Sequence, residues 1–206
     1  MRHVIMHPCI MVLAAGRSSR LGRPKQLLTF RGRSMIGHTV DTALESGIGP
    51  VCVVTGAFAE RLGAALSGSD ALVLFNEDWE EGMASSIRKA VSAIATIKPM
   101  PDGILFMVCD QPFVNVQLLR ELILRQAAMG SAITACSYDG TNGTPALYHR
   151  SIFRELAALK GDKGAKNIIQ RHLQETELIP FPQGGLDIDT ESDYLELINK
   201  AKGGMA

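Results

Sequence analysis

Short runs of apolar, largely β-branched residues recur along this chain, and each is separated from the next by a longer stretch with helical periodicity. The runs are Ile10–Ala14, Val51–Thr55, Ala71–Phe75, Ile104–Cys109 and Ala132–Cys136, with a weaker one at Ala146–Tyr148. The helical stretches are Met35–Ser46, Ala59–Leu66, Ser85–Ala95, Val116–Met129, Ser151–Leu159 and Lys163–Leu173. A strand that is apolar at consecutive positions has no face to offer to water, so both sides of its sheet must be covered. Alternating helices supply that cover through right-handed crossovers. The class expected is α/β: a single three-layer domain with a mostly parallel sheet, spanning residues 1–206 with its core at about 10–198. Lys98–Gly103 (KPMPDG) reads as a turn-rich connection, not a domain linker.

Composition narrows the function. Lys plus Arg is 21 and Asp plus Glu is 21, a net charge of zero that argues against coating nucleic acid or anionic lipid. No run of about 18 apolar residues occurs, and the apolar start runs straight into a glycine loop without a cleavage region. Cys9, Cys52, Cys109 and Cys136 contain no C-x-x-C pair and read as buried hydrophobes in a reducing compartment. A cytoplasmic protein is expected, monomeric by default, with no nucleic acid or membrane partner.

In open α/β sheets ligands sit at the carboxyl ends of the strands. The first strand is followed there by Ala15-Gly16-Arg17-Ser18-Ser19-Arg20-Leu21-Gly22-Arg23-Pro24-Lys25. Gly16 permits a sharp turn, and Arg17, Arg20, Arg23 and Lys25 gather cations beside backbone amides and hydroxyls, the donors a polyphosphate needs. The loop fits neither the Walker A pattern nor the dinucleotide fingerprint. Asp110 closes the fourth run, where it either caps the next helix or holds a divalent cation. Asp187 and Asp189, spaced i and i+2, share one face of an extended segment. The histidines form no catalytic pair; His149, after the weak strand, is the one placed near an acceptor.

Leu13 to Leu28 (LAAGRSSRLGRPKQLL) resembles the signature loop of nucleotidyltransferases built on the nucleotide-diphospho-sugar transferase, Rossmann-like fold. Within them the chain is similar to the molybdenum-cofactor branch, molybdenum cofactor cytidylyltransferase and its MobA-like relatives, from about Ile10 to Ile198. Supporting segments are Val53–Gly56, Asn76 with Gly82–Ile87, Asp110-Gln111-Pro112, Gly161–Ala165 and Asp187–Thr190. The resemblance implies transfer of a nucleotidyl group from a nucleoside triphosphate to a pterin phosphate, with pyrophosphate leaving and a molybdoenzyme as eventual recipient of the cofactor.

Carried over by residue, Leu13, Ala14, Ala15, Gly16, Arg17, Ser18 and Lys25 would hold the nucleotide, with Thr55, Gly56 and Asn76 lining its base. Lys25, Arg17 and Asp110 would be catalytic, and Asp110 would bind Mg2+ with Asp189 or Asp187. Gly82, Met83, Ser85, Ser86, Gly143 and Thr144 would meet the acceptor; His or Asn is common in relatives where this chain has Thr144. Ala15, where guanylyl transferases carry Gly, implies CTP, because a methyl narrows the slot toward a pyrimidine. One methyl discriminates by only about 1–3 kcal/mol, so a second contact is needed. Ser85 and Ser86 can equally cap a helix, and Gly161–Lys166 is either a loop over the acceptor or a helix–helix turn. Three rivals stand beside this reading: guanylyl or sugar-phosphate transfer on the same fold, a non-catalytic cofactor carrier or chaperone, and an oxidoreductase, which the missing dinucleotide fingerprint disfavours. The carrier should lack the carboxylate or the loop lysine, and both are present.

Overall fold

The computed structural model describes residues 3–18, 21–186, 188 and 190–203. In chain order its elements are β1 (Pro8–Leu13), a short hairpin of β2 (Thr29–Phe30) and β3 (Arg33–Ser34), α1 (Met35–Glu45), β4 (Val51–Thr55), α2 (Ala59–Ala65), β5 (Leu72–Phe75) and α3 (Met83–Ala93). The second half runs β6 (Gly103–Val108), α4 (Val116–Met129), β7 (Ile133–Tyr138), β8 (Thr141–His149), α5 (Phe153–Ala157), α6 (Lys166–Arg171), β9 (Thr176–Pro180) and α7 (Glu191–Gly203). Seven strands form one sheet in the order β5-β4-β1-β6-β8-β7-β9. β1 is parallel to β4 and β6. β8 alone runs against its neighbours β6 and β7.

The three-layer expectation holds for a visible reason. Along β1, Ile10 and Val12 enter the core under α1, α2 and α4, whereas Cys9, Met11 and Leu13 enter the core under α3, α5 and α6. Consecutive side chains of a strand point to opposite faces, and here both faces are dry. Helix starts follow local chemistry: Ser34 Oγ accepts from Gly37 N at 3.2 Å to cap α1, and Asn115 Oδ1 accepts from Leu118 N at 2.9 Å to cap α4.

Three expectations need correction. The weak strand at 146–148 is the end of a nine-residue antiparallel strand, β8. Its first half, residues 141–145, carries no apolar run, and its pairing to β7 is irregular between Ala135 and Cys136. β9 and the β2–β3 hairpin carry no apolar run either. β5, read as covered, is the sheet edge and exposes Leu72, Val73 and Phe75.

Topology then sets the site. Leu13, Thr55, Phe75 and Val108 end their parallel strands on one edge of the sheet. Because β8 is reversed, its beginning, Gly143-Thr144, reaches that same edge. His149 ends β8 opposite Gly103, the first residue of β6. It therefore stands at the far edge, beside His3 with ring centroids 4.7 Å apart, and not near an acceptor.

Candidate active site

The loop leaving β1 is organised around one buried amide. Gln26 Nε2 donates to Gly16 O at 2.7 Å and to Ala14 O at 3.2 Å, and Gln26 Oε1 accepts from Ser18 Oγ at 3.2 Å. Ser18 Oγ in turn accepts from Lys25 N at 3.1 Å. Ser18 sits at φ 54°, a left-handed conformation that costs a non-glycine residue about 1–2 kcal/mol and is held here by these bonds. No described residue accepts a hydrogen bond from the amides of residues 15–18. Sequence reasoning gave Gln26 no role, although it stands within the Leu13–Leu28 run next to Lys25.

Lys25 follows on a single 3-10 turn, and its Nζ lies 2.6 Å from Asp110 Oδ2 at the end of β6. Both side chains are largely buried, 20% and 18% exposed. The other carboxylate oxygen, Asp110 Oδ1, is buried without a hydrogen-bond partner. A buried acceptor left unpaired costs free energy, so this oxygen suits a cation or a phosphate-bound ion. Asp110 does not cap α4, since Asn115 does. Asp187 and Asp189 lie outside the described residues, as do Ser19 and Arg20. Among the described residues no cluster of three His, Cys, Asp or Glu forms, so Asp110 is the described carboxylate that fits the role.

The cleft has three connected parts that share Leu13 and Met83 as walls. The largest, about 500 Å3, holds Ala15, Gly16, Arg17, Gly82 and Ser86 against Trp79. The second, about 300 Å3, holds Ala14, Ser18, Lys25 and Asp110. The third, about 110 Å3, is walled by Ile87, Phe106 and Tyr148, with Gly143, Thr144 and Lys166 also lining it.

Of the loop cations, Arg17 faces the cleft: its guanidinium stacks 5.0 Å from the Trp79 ring centroid and meets Glu80 at 2.9 Å. Arg23 is turned away and ties the loop to α7 through Glu191 at 2.7 Å. It also stacks on Tyr194. Gly56 lies under Trp79, where a Cβ would meet Trp79 Cβ at 2.6 Å. Thr55 and Asn76 are buried behind the wall and do not line it. Asn76 Nδ2 donates to Ser85 Oγ at 2.8 Å and Ser86 Oγ at 3.2 Å, bracing the start of α3.

Neither serine caps α3 from its side chain: Ser85 Oγ donates to Gly82 O at 2.9 Å. Gly82, at φ 103°, sits where a Cβ would collide with Asp162, and Gly161 O accepts from Ala84 N at 3.1 Å. The Gly161–Lys166 segment thus closes on the first turn of α3 and borders the cleft. Only Ser86 of the two serines reaches the cleft wall.

A parallel-sheet edge bearing an amide-rich loop, a lysine and a carboxylate defines an α/β nucleotide-handling protein, and the architecture is that of the nucleotide-diphospho-sugar transferases. Solved members of that fold align at 11% and 17% identity with TM-scores of 0.73 and 0.72. Residues 10–176 match the MobA-like NTP transferase domain, and the chain belongs to that family as a nucleotidyltransferase. It is 30% identical over 202 residues, 93% of this chain and 97% of the relative, to nicotine blue oxidoreductase of Paenarthrobacter nicotinovorans. Rv0371c of Mycobacterium tuberculosis H37Rv, solved in complex with manganese, aligns at 33% identity and TM-score 0.77 over 94% of this chain and 99% of that one. A nucleotidyl transferase from Methanothermobacter thermautotroptrophicus aligns at 26% identity and TM-score 0.79 over 96% and 99%.

Proposed function

We propose that the protein transfers a cytidylyl group from CTP to the phosphate of a molybdopterin-type acceptor, in the cytoplasm, for eventual delivery to a molybdoenzyme. The observation that carries the reading is the Lys25–Asp110 pair, 2.6 Å apart at the sheet's carboxyl edge beside a loop with open amides. The amides of residues 15–18 and the Arg17 guanidinium bind the triphosphate. Lys25 leaves Asp110 for the phosphates and offsets charge as the bond breaks.

The acceptor phosphate is already an anion, so no general base is required. Its oxygen forms a bond to the α-phosphorus. The bond from that phosphorus to the bridging α–β oxygen breaks, and pyrophosphate leaves with the electron pair. A divalent cation, Mg2+ in this reading, would supply charge neutralisation at phosphate oxygens when bound, held through Asp110 Oδ1. The manganese complex of Rv0371c supports a divalent ion of this kind.

Ala15, in the wall of the largest part of the cleft with Trp79, favours the smaller base. The acceptor lies toward Met83, Gly143 and Thr144, where the third part of the cleft opens. One relative is an oxidoreductase, nicotine blue oxidoreductase, but β1 is followed here by Ala14-Ala15-Gly16-Arg17-Ser18, without the glycine spacing of a dinucleotide loop.

The test is pyrophosphate release from CTP, and separately GTP, with Mg2+ and molybdenum-loaded pterin phosphate, beside Asp110→Ala and Lys25→Ala. Release with CTP, abolished by both substitutions, is expected. Release with GTP alone overturns the base. CTP binding without release overturns the acceptor, and absence of any nucleotide binding overturns catalysis in favour of a carrier.

A further inference from the structure

We infer that Gln26 is the positioning residue that turns the β1 loop into a phosphate-binding nest, by pulling the loop's carbonyls inward so that its amides face the cleft. The inference rests on the nucleotidyltransferase reading above and adds a residue to it. Gln26 itself is 1% exposed, and its amide group spans three points of the loop. Its two donors take Ala14 O and Gly16 O, and its oxygen takes the Ser18 hydroxyl. Two carbonyl partners on one side fix the amide's orientation, because only the nitrogen can donate to both.

The consequence follows from peptide geometry. In a trans peptide the carbonyl and the N–H point in opposite directions. Ala14 O shares its peptide with Ala15 N–H, and Gly16 O shares its peptide with Arg17 N–H. Drawing the two oxygens toward a buried side chain sends the two N–H groups outward. Ala15 and Arg17 line the largest part of the cleft, while Gln26 itself borders the adjoining part that holds Lys25 and Asp110. Without Gln26, two loop carbonyls would have to turn toward solvent, which is the direction from which an anion must approach.

The third contact extends the device to the lysine. Ser18 Oγ donates to Gln26 Oε1 and accepts from Lys25 N, so the amide also sets where the Lys25 backbone begins. Lys25 and Gln26 are neighbours on one 3-10 turn. A side chain whose amide is fully engaged by the loop thereby places the nest and the catalytic cation together.

The test uses full-length protein and three ligands: tripolyphosphate with Mg2+, CTP with Mg2+, and cytidine. Gln26→Leu removes all three contacts and Gln26→Glu removes the two donors. In calorimetric titrations both should bind tripolyphosphate and CTP at least about tenfold more weakly than wild type, while cytidine affinity stays unchanged. A purely structural role would weaken all three ligands together or lower the melting temperature without selectivity. Folded variants that bind tripolyphosphate as wild type does, while Lys25→Ala does not, overturn the role of Gln26 and leave the transferase reading standing. Wild type that binds no triphosphate overturns both.

A second measurement covers the case in which both variants unfold. In nitrogen-15 spectra of wild type, the Gln26 side-chain amide protons should exchange slowly with water and shift on adding tripolyphosphate. Exchange at the rate of an exposed glutamine, or no shift on saturation, overturns the inference.

Discussion

The indole of Trp79 rests on the bare Cα of Gly56: a methyl there would lie 2.6 Å from Trp79 Cβ and 2.8 Å from Ala15 O. The two residues come from different strand–helix connections, and their contact seats Trp79 in the cleft wall beside Arg17 and the start of α3. Gly56→Ala should push Trp79 outward, lose its stacking on Arg17, and destabilise the protein by about 1–3 kcal/mol. Trp79 is the sole tryptophan, so its emission reads the displacement directly. An unshifted spectrum with unchanged CTP affinity would show that this contact does not shape the site.

Lys25 and Asp110 should behave as a coupled pair in stability as well as in catalysis. Lys25→Ala leaves a mostly buried carboxylate without its cation, a loss of about 3 kcal/mol or more in comparable buried pairs. Adding Asp110→Ala should recover part of that loss, although neither variant transfers nucleotide. Denaturant melts of the four members of the cycle measure the coupling, expected at about 1–3 kcal/mol.

His149 makes stability depend on acidity. Burial lowers its pKa, with His3 and Arg150 adding to the effect and Asp102 opposing it. Its Nδ1 accepts from Ser151 N at 3.2 Å, which needs the neutral ring. Because the folded pKa lies below the unfolded one, the unfolded chain binds more protons in the window between them. Stability is therefore full above about pH 6.5 and falls as pH drops through the lowered value. His149→Gln should flatten that part of the melting-temperature profile. Triphosphate affinity should be untouched, since His149 stands at the opposite sheet edge.

The thiols should be inert in the folded protein. Burial pushes Cys9, Cys109 and Cys136 up to about 12, and raises Cys52 as well. All four are buried and free. At about pH 8 the reactive thiolate is then scarce and shielded, so a disulfide reagent should titrate almost nothing until denaturant is added, and then four thiols. Prompt reaction in the native state would contradict the packing of β1 and β4.

Legibility in the sequence followed the strength of the local signal. Val51–Thr55 and Val116–Met129 have the same bounds in the structure as in the sequence, because a largely β-branched run and an Asn-started helical period leave little choice. Residues 141–145 gave no strand signal, since a Gly, a Pro and two Thr join the sheet only because β7 is there to pair with. Among the loop residues, Arg17 and Arg23 look alike in sequence. They part company only when Trp79 and Glu80 arrive on one side and Glu191 and Tyr194 on the other.

By itself the sequence determined the α/β class, the covered central strands, and the loop at the end of β1 where a polyphosphate would be met. Those features depend on periodicity and on residue chemistry within a few positions of each other. The tertiary structure decided which of the marked residues share a cleft. It placed Lys25 on Asp110, turned β8 so that Thr144 reached the site and His149 left it, and drew Thr55 and Asn76 behind the wall. The physical reason is that strand order and direction arise from packing both faces of one sheet, and contacts between residues 85 positions apart, such as Lys25 and Asp110, exist only once that packing is made.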